Sequence, residues 1–206
     1  FFQNYALNVI EMAFKQNKNV IVVGGSGLYL NAILYDYKFA ESSPTSDEYD
    51  NIDNEELYKQ LCNRDHNLKK TIHVNNRQRI LRALRLMDEV NVSKTEHLNQ
   101  QLRQLRFDCK IIACDYEDRN VHRQVMDARV DAMISMGLKE EILAASKEAS
   151  FDKPSMSAIG VKQWQDVFIG SVSDEACIRT IKTKTHQFAK RQRTWFKHQL
   201  PCEWCY

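Results

Sequence analysis

A run of four apolar residues, Val20-Ile21-Val22-Val23, leads straight into Gly24-Gly25-Ser26-Gly27 and then into the helical pattern LYLNAILY. A continuous β-branched run of this length reads as a parallel strand buried on both faces. With a glycine turn and a helix behind it, the unit is α/β architecture. Lys110–Cys114, KIIAC, predicts a second buried strand, and the terminal CEWCY is a third candidate. So few strands do not make a parallel sheet covered on both faces. Either a partner chain supplies the neighbours, or an N-terminal part of the domain is missing. The first helix points the same way: Phe2, Ala6, Val9, Ile10, Ala13 and Phe14 give it one apolar face, yet it begins with neither Met nor a capping residue.

Between the two strands the pattern changes. Lys38 to Asp53 is polar, with Ser42, Ser43, Pro44, Thr45 and Ser46 together, and predicts a loop into an inserted segment. Helices are predicted at Glu55–Lys69, Asn76–Glu89 and Lys94–Leu105. After the second strand come Asn120–Met136 ending at Gly137, then Lys139–Lys147, Val161–Ile169 and a long basic helix. Ser173 is placed to cap that last helix, with Asp174 and Glu175 in its first turn.

The basic helix runs through Arg179–Gln199 and carries seven Lys or Arg and no acid. Ile181, Thr185, Phe188, Gln192 and Trp195 share one face, and Lys182, His186, Lys190, Arg193 and Lys197 form a stripe on another. Solvated helices usually mix both signs along an exposed face. A one-sign stripe beside a packing face suits a polyanion; a merely solvated charged face is the competing reading. The net charge is only +2, so attraction to nucleic acid has to come from such local clustering.

Other classes lose support. No apolar run approaches the roughly 20 residues of a membrane span, and the opening residues carry no secretory signal. The six cysteines are scattered, so reduced thiols are expected. Cys202 and Cys205 form a CxxC, but no second pair completes the four ligands of a structural zinc site. No HxxxH or HExxH pair supports metal hydrolysis.

Three short stretches remain as candidates. GGSGLYL sets a glycine turn at a helix N-terminus, where backbone N–H groups hold anions and the Ser26 hydroxyl lies at the sheet edge; a turn that simply needs glycine explains it equally well. It is not a P-loop, since GxxxxGK[ST] occurs nowhere. NNRQRILRALRL puts Arg79 and Arg82 one turn apart, able to clamp phosphates, with Ile80, Leu84 and Met87 facing inward; a soluble basic face is the alternative. SMSAIGVKQW is also open to a plain reading, as a turn between helices.

Taken in order, these stretches resemble the signatures of the tRNA dimethylallyltransferases, the isopentenyl-diphosphate:tRNA transferases. GGSGLYL is similar to that family's GGTGLYL. VNNRQRILRALRL, HRQVMDARVDAMISMGLKEEI, MSAIGVKQW and THQFAKRQRTWFK follow in the family's order. The resemblance implies transfer of a dimethylallyl group from its diphosphate to the exocyclic amine of the adenosine 3′-adjacent to a tRNA anticodon. It implies magnesium at the diphosphate and a P-loop NTPase-like parallel-sheet α/β core with a helical insertion. On that pattern residues 1–38 and 108–206 form the core and residues 39–107 the insertion. The tRNA anticodon stem-loop and dimethylallyl diphosphate are the expected partners, and a cytoplasmic monomer outside the membrane is the expected form.

Position by position, Ser26 matches the family's threonine near the reacting adenine, keeping its hydroxyl without the methyl; Gly24, Gly25 and Gly27 form the turn at that pocket. Gln78, Arg79, Ile80, Leu81 and Arg82 match a tRNA-contacting segment. Ser157, Ala158, Ile159, Gly160, Val161 and Lys162 match another, with Val161 standing where the family has an aromatic. Lys190, Arg191, Gln192, Arg193, Thr194, Trp195, Phe196 and Lys197 match the tRNA-contacting basic helix. The family's P-loop and general-base aspartate match nothing in this sequence, so it reads as the C-terminal two-thirds of such an enzyme, with no metal ligand of its own. Three other readings stay open: a tRNA-binding module without chemistry, a relative that prenylates a free nucleotide, and an α/β domain meeting some other anion.

Overall fold

A computed structural model describes residues 1–35, 47–49, 51–90, 93, 95–96 and 104–206. The chain divides into two compact units, Phe1–Asp108 and Cys109–Tyr206.

In the first unit, helix α1 (Phe2–Lys15) packs on α2 (Gly27–Leu34). Gln3 Nε2 donates to the Ala32 carbonyl at 2.8 Å, Phe2 stacks on Tyr29, and Ile10, Ala32 and Ile33 are buried. A second cluster joins α3 (Asn54–Arg64), a 3₁₀ turn at His66–Lys70 and α4 (Arg77–Val90). Leu57, Leu61, Leu68, Ile72, Ile80, Ala83, Leu84 and Met87 fill its core. Asp53 caps α3 by accepting from the Glu56 N–H at 2.9 Å. The predicted helix Glu55–Lys69 thus ends at Arg64, where the buried Asp65 turns the chain. Its carboxylate accepts N–H bonds from Asn67 at 3.1 Å and Thr95 at 2.8 Å. The predicted loop at 38–53 and helix at 94–105 lie largely outside the described residues.

In the second unit, strands β1 (Ile112–Cys114) and β2 (Glu203–Cys205) pair in parallel, with Ile112, Ala113 and Cys114 opposite Glu203, Trp204 and Cys205. Around them lie α5 (Arg119–Ser135), α6 (Leu138–Glu148), the short α7 (Trp164–Phe168) and the 26-residue α8 (Asp174–Gln199). Val130, Ile142, Met156, Trp164, Cys177 and Ile181 form the core. Local chemistry sets the helix limits. Asp118 accepts from the Asn120 N–H and starts α5. Gly137, at φ 96°, turns the chain between α5 and α6. Ser173 Oγ accepts from the Ala176 N–H and starts α8, as the sequence predicts.

The predicted helix Val161–Ile169 is confined to Trp164–Phe168. The predicted buried strand Lys110–Cys114 is Ile112–Cys114 with both ends exposed, and one expected strand is absent. Val20–Val23 is not a strand: Ile21 and Val23 are 87% and 90% exposed. A strand exists only through a neighbour that takes up its N–H and C=O groups, and among the described residues the only sheet is β1–β2. The described fold is therefore mixed and mainly helical, with one small parallel sheet to which the terminal CEWCY contributes.

Candidate nucleic-acid interface

Helix α8 divides its positive charge between two jobs. Of the predicted Ile181/Thr185/Phe188/Gln192/Trp195 face, Ile181 is buried and Thr185, Gln192 and Trp195 are half-buried, while Phe188 is 48% exposed. Lys182, His186 and Arg193 of the predicted basic stripe are half-buried as well, so the helix's packing side extends onto part of that stripe. That stripe meets acids on α5. Lys182 Nζ contacts both carboxylate oxygens of Asp131, at 2.7 and 2.8 Å, and His186 Nε2 lies 2.8 Å from Asp127 Oδ1. Both pairs are one turn apart on each helix and run in opposite directions, so they form two rungs between antiparallel helices.

Arg193 continues this structural side. Its Nε donates to Asp115, just beyond β1, whose side chain is only 5% exposed. Arg119 Nη2 and His122 Nδ1 approach the same carboxylate at 3.6 and 3.8 Å, and the Arg193 guanidinium lies over the Trp204 ring. A buried carboxylate needs such company to stay charged. Lys182, His186 and Arg193 are thus structural partners first, which corrects the reading of a single uncompensated stripe.

The opposite side of α8 keeps its charge. Lys190, Arg191, Thr194 and Lys197 are exposed, and among the described residues no carboxylate pairs with Lys190, Arg191 or Lys197. Lys190, Arg191, Thr194, half-buried Trp195, His198 and Gln199 line one shallow groove. Two cations, a hydroxyl and an indole along one groove can hold phosphates and stack an unpaired base. Gln192 and Phe196 are half-buried, away from it.

The other predicted residues separate just as clearly into support and surface. On α4, Gln78, Arg79 and Arg82 are exposed, while Ile80 is fully buried and Leu81 packs against the core. Ile80 therefore offers a ligand no side chain. Arg77 serves the fold: its guanidinium donates to the carbonyls of Ile52 and Tyr49 at 2.6 and 2.9 Å. In the Ser157–Lys162 turn, Ser157, Ala158 and Lys162 are exposed, Ile159 is half-buried and Val161 packs on the core. Gly160 is buried at φ 91°, and its N–H donates to Gln163 Oε1 at 2.7 Å; glycine there is a backbone requirement. Val161 packs on the core that holds Ile181. From Ile181 to Lys190 the helix rises nine residues, about 14 Å, so this turn and the α8 groove are separate patches.

Ser26 stands at the N-cap of α2, exposed, and its hydroxyl makes no capping bond. Gly24 and Gly25 are exposed and Gly27 is half-buried at the helix start. None of the three has a positive φ, and a Cβ at Gly24 would meet nothing within 4 Å. The sequence pattern did not single out Asp115, Asp127 and Asp131. The four-residue spacing of Asp127 and Asp131, matched by that of Lys182 and His186, is the one signal that could have found the rungs.

The IPP transferase family model matches residues 1–199. The tRNA dimethylallyltransferase of Anoxybacillus flavithermus is 34% identical over 207 residues, and that of Macrococcus caseolyticus 32% over 208; each match takes in 98% of this chain. The chain spans 66% of the length of these curated relatives. A tRNA delta(2)-isopentenylpyrophosphate transferase from Staphylococcus epidermidis superposes with a TM-score of 0.65 at 29% identity, over 99% of this chain and 68% of its own. A eukaryotic dimethylallyltransferase solved acting on tRNA gives a TM-score of 0.75 at 27% identity, over 95% of this chain and 51% of its own. With the motifs in order and the family model spanning nearly every residue, the chain belongs to the IPP transferase family.

Proposed function

We propose that this protein transfers a dimethylallyl group from dimethylallyl diphosphate to the exocyclic amine of the adenosine 3′-adjacent to a tRNA anticodon. The observation that carries this reading is the division of α8. One side is neutralised by Asp115, Asp127 and Asp131, and the other leaves Lys190, Arg191 and Trp195 open along a groove. A helix that spends acids on its structural cations and none on its outer ones is built to meet an anion of its own. Arg79 and Arg82 on α4, with Ser157 and Lys162 in the turn before α7, add exposed donors for the stem-loop backbone.

At the reacting end, the amine nitrogen forms a bond to the allylic carbon as the carbon–oxygen bond to diphosphate breaks. The departing charge needs donors. The glycine turn at α2 supplies backbone N–H groups at a helix N-terminus, and the uncapped Ser26 hydroxyl is free to hold the adenine edge. At Gly24 neither backbone conformation nor crowding calls for glycine, which leaves close approach of a ligand as its physical use. Among the described residues no group of three or more His, Cys, Asp or Glu could hold a metal ion. Magnesium is therefore assigned, with the diphosphate, to the P-loop segment that the family resemblance implies, and no step here runs through it.

The finer architecture belongs to the same proposal: residues 1–38 and 108–206 contribute to a P-loop-like α/β core, and residues 39–107 form a helical insertion. We place the protein in the cytoplasm as a monomer; no described helix is long and apolar enough to cross a membrane. Turnover is assigned to the P-loop and general-base aspartate that the family resemblance implies, which no residue of this sequence matches. The deciding experiment pairs two assays on an anticodon stem-loop: filter binding by this chain, and prenylation by the chain joined to a family P-loop segment. Binding with prenylation only in the joined protein is the expected result. Binding without prenylation in either form would favour a tRNA-binding module, and loss of both would reject the reading.

A further inference from the structure

We propose that Cys114 and Cys205 form an oxidisable thiol pair, a modification site whose co-reactant is a small-molecule disulfide such as oxidised glutathione. The two residues lie opposite each other in the parallel register of β1 and β2, and both are free and exposed. Along each strand the middle residue, Ala113 or Trp204, is half-buried and its neighbours are exposed. Cys114 and Cys205 therefore leave the sheet on one common face. Neighbouring strands run about 4.8 Å apart, within the Cα separation of about 4.4–6.8 Å that a disulfide spans.

The other thiols are worse placed. Cys177 is buried, which pushes its thiol up to about 11. Burial also raises the Cys202 thiol. Cys202 precedes the extended β2, and three extended residues carry it roughly 10 Å from Cys205, past the reach of a bridge. The CxxC spacing is thus not the pairing that the fold makes. Cys62 lies in the other unit, and Cys109 precedes the paired residues.

In the first step one protein thiolate attacks a sulfur of oxidised glutathione, the S–S bond breaks and a glutathione thiolate leaves. The second protein thiolate then attacks the protein sulfur of this mixed disulfide and expels the other glutathione. Two protein thiols become one disulfide, one glutathione disulfide becomes two thiols, and the protein's two protons end on the leaving groups. The site adjoins the anchor of α8: the Asp115 N–H donates to the Cys205 carbonyl at 2.9 Å, while the Asp115 carboxylate holds Arg193. Oxidation staples β2 to β1 beside that anchor.

The test equilibrates the chain in glutathione buffers from reducing to oxidising, blocks remaining thiols by alkylation, and maps linked peptides by mass spectrometry. The expected result is one cross-linked peptide pair joining Cys114 and Cys205, lighter by two hydrogens and reversed by excess reduced glutathione. It persists in C109S and C202S and disappears in C114S; the wild-type map decides the matter even if a variant misfolds. Both thiols staying alkylatable at the oxidising end, either one stopping at the glutathione adduct, or Cys205 linking to a different cysteine would each overturn the proposal.

Discussion

Lys182 on α8 grips both carboxylate oxygens of Asp131 on α5, at 2.7 and 2.8 Å, with the His186–Asp127 contact one turn away. Half-exposed ion pairs of this kind contribute about 0–1 kcal/mol each. D127N/D131N should therefore lower urea-unfolding stability by no more than about 2 kcal/mol. The same variant should raise affinity for any RNA at low salt, because Lys182 loses its counter-charge and two carboxylates disappear beside α8. Unchanged RNA affinity at low salt would show that this side of α8 faces nothing anionic.

On the open side of α8, K190A/R191A should weaken stem-loop binding. Its salt dependence should flatten by about one unit of log–log slope for each phosphate no longer neutralised. A filter-binding series across salt concentrations measures this. Unchanged curves would remove the groove from the interface.

Asp65 should contribute to the acid sensitivity of the first unit. Burial alone would raise its carboxyl pKa, but hydrogen bonds from Thr95, Asn67 and Ser93 outweigh it and hold the value below the usual range. A depressed folded pKa gives stability that is present above the unfolded value, near 3.9, and is lost as pH falls through the folded one. D65N should be less stable than wild type at neutral pH, with the gap closing below pH ~4. Paired urea titrations across that range would test it; a gap independent of pH would mean that the charge is not what matters.

Cys177 has the opposite sign. Burial raises its thiol to about 11, so the stability it lends is full below the unfolded value, near 8.5, and drains away as pH climbs through the folded one. C177A should reduce the alkaline loss of stability between those limits. In the native chain Cys177 should also resist alkylation while Cys109, Cys114 and Cys205 react.

Gly160 should tolerate volume but not handedness. Its φ is 91°, and the nearest atom to a Cβ there is Met133 Cε at 4.0 Å. G160A should thus cost about 1–2 kcal/mol from the backbone alone, read as a lower melting temperature with the helix signal intact. A neutral G160A would show that the turn relaxes freely.

Helices were legible in the sequence because their causes are local. Ser173, at the start of α8, and Gly137, between α5 and α6, act within one turn. Val20–Val23 misled for the converse reason: apolar branching favours a strand, but only a neighbour makes one, and neighbours are not encoded in the run itself. The charge on α8 deceives for a similar reason. Its counter-ions sit 51 to 78 residues away in sequence, so a helix examined alone looks uncompensated. The family motifs mark segments but do not separate buried Ile80 from exposed Arg79, or Asp115-bound Arg193 from exposed Arg191, since neighbours on a helix point to different surroundings.

The two rungs between α5 and α8 also work as a protractor. A helix can roll about its axis with little change in how well a smooth apolar seam fits, but Lys182 and His186 meet Asp131 and Asp127 together at only one roll angle. Because Lys190, Arg191 and Trp195 ride on the same rigid rod, that angle sets the bearing of the outer groove. Side chains on α5 that never reach the groove thereby decide which way it faces.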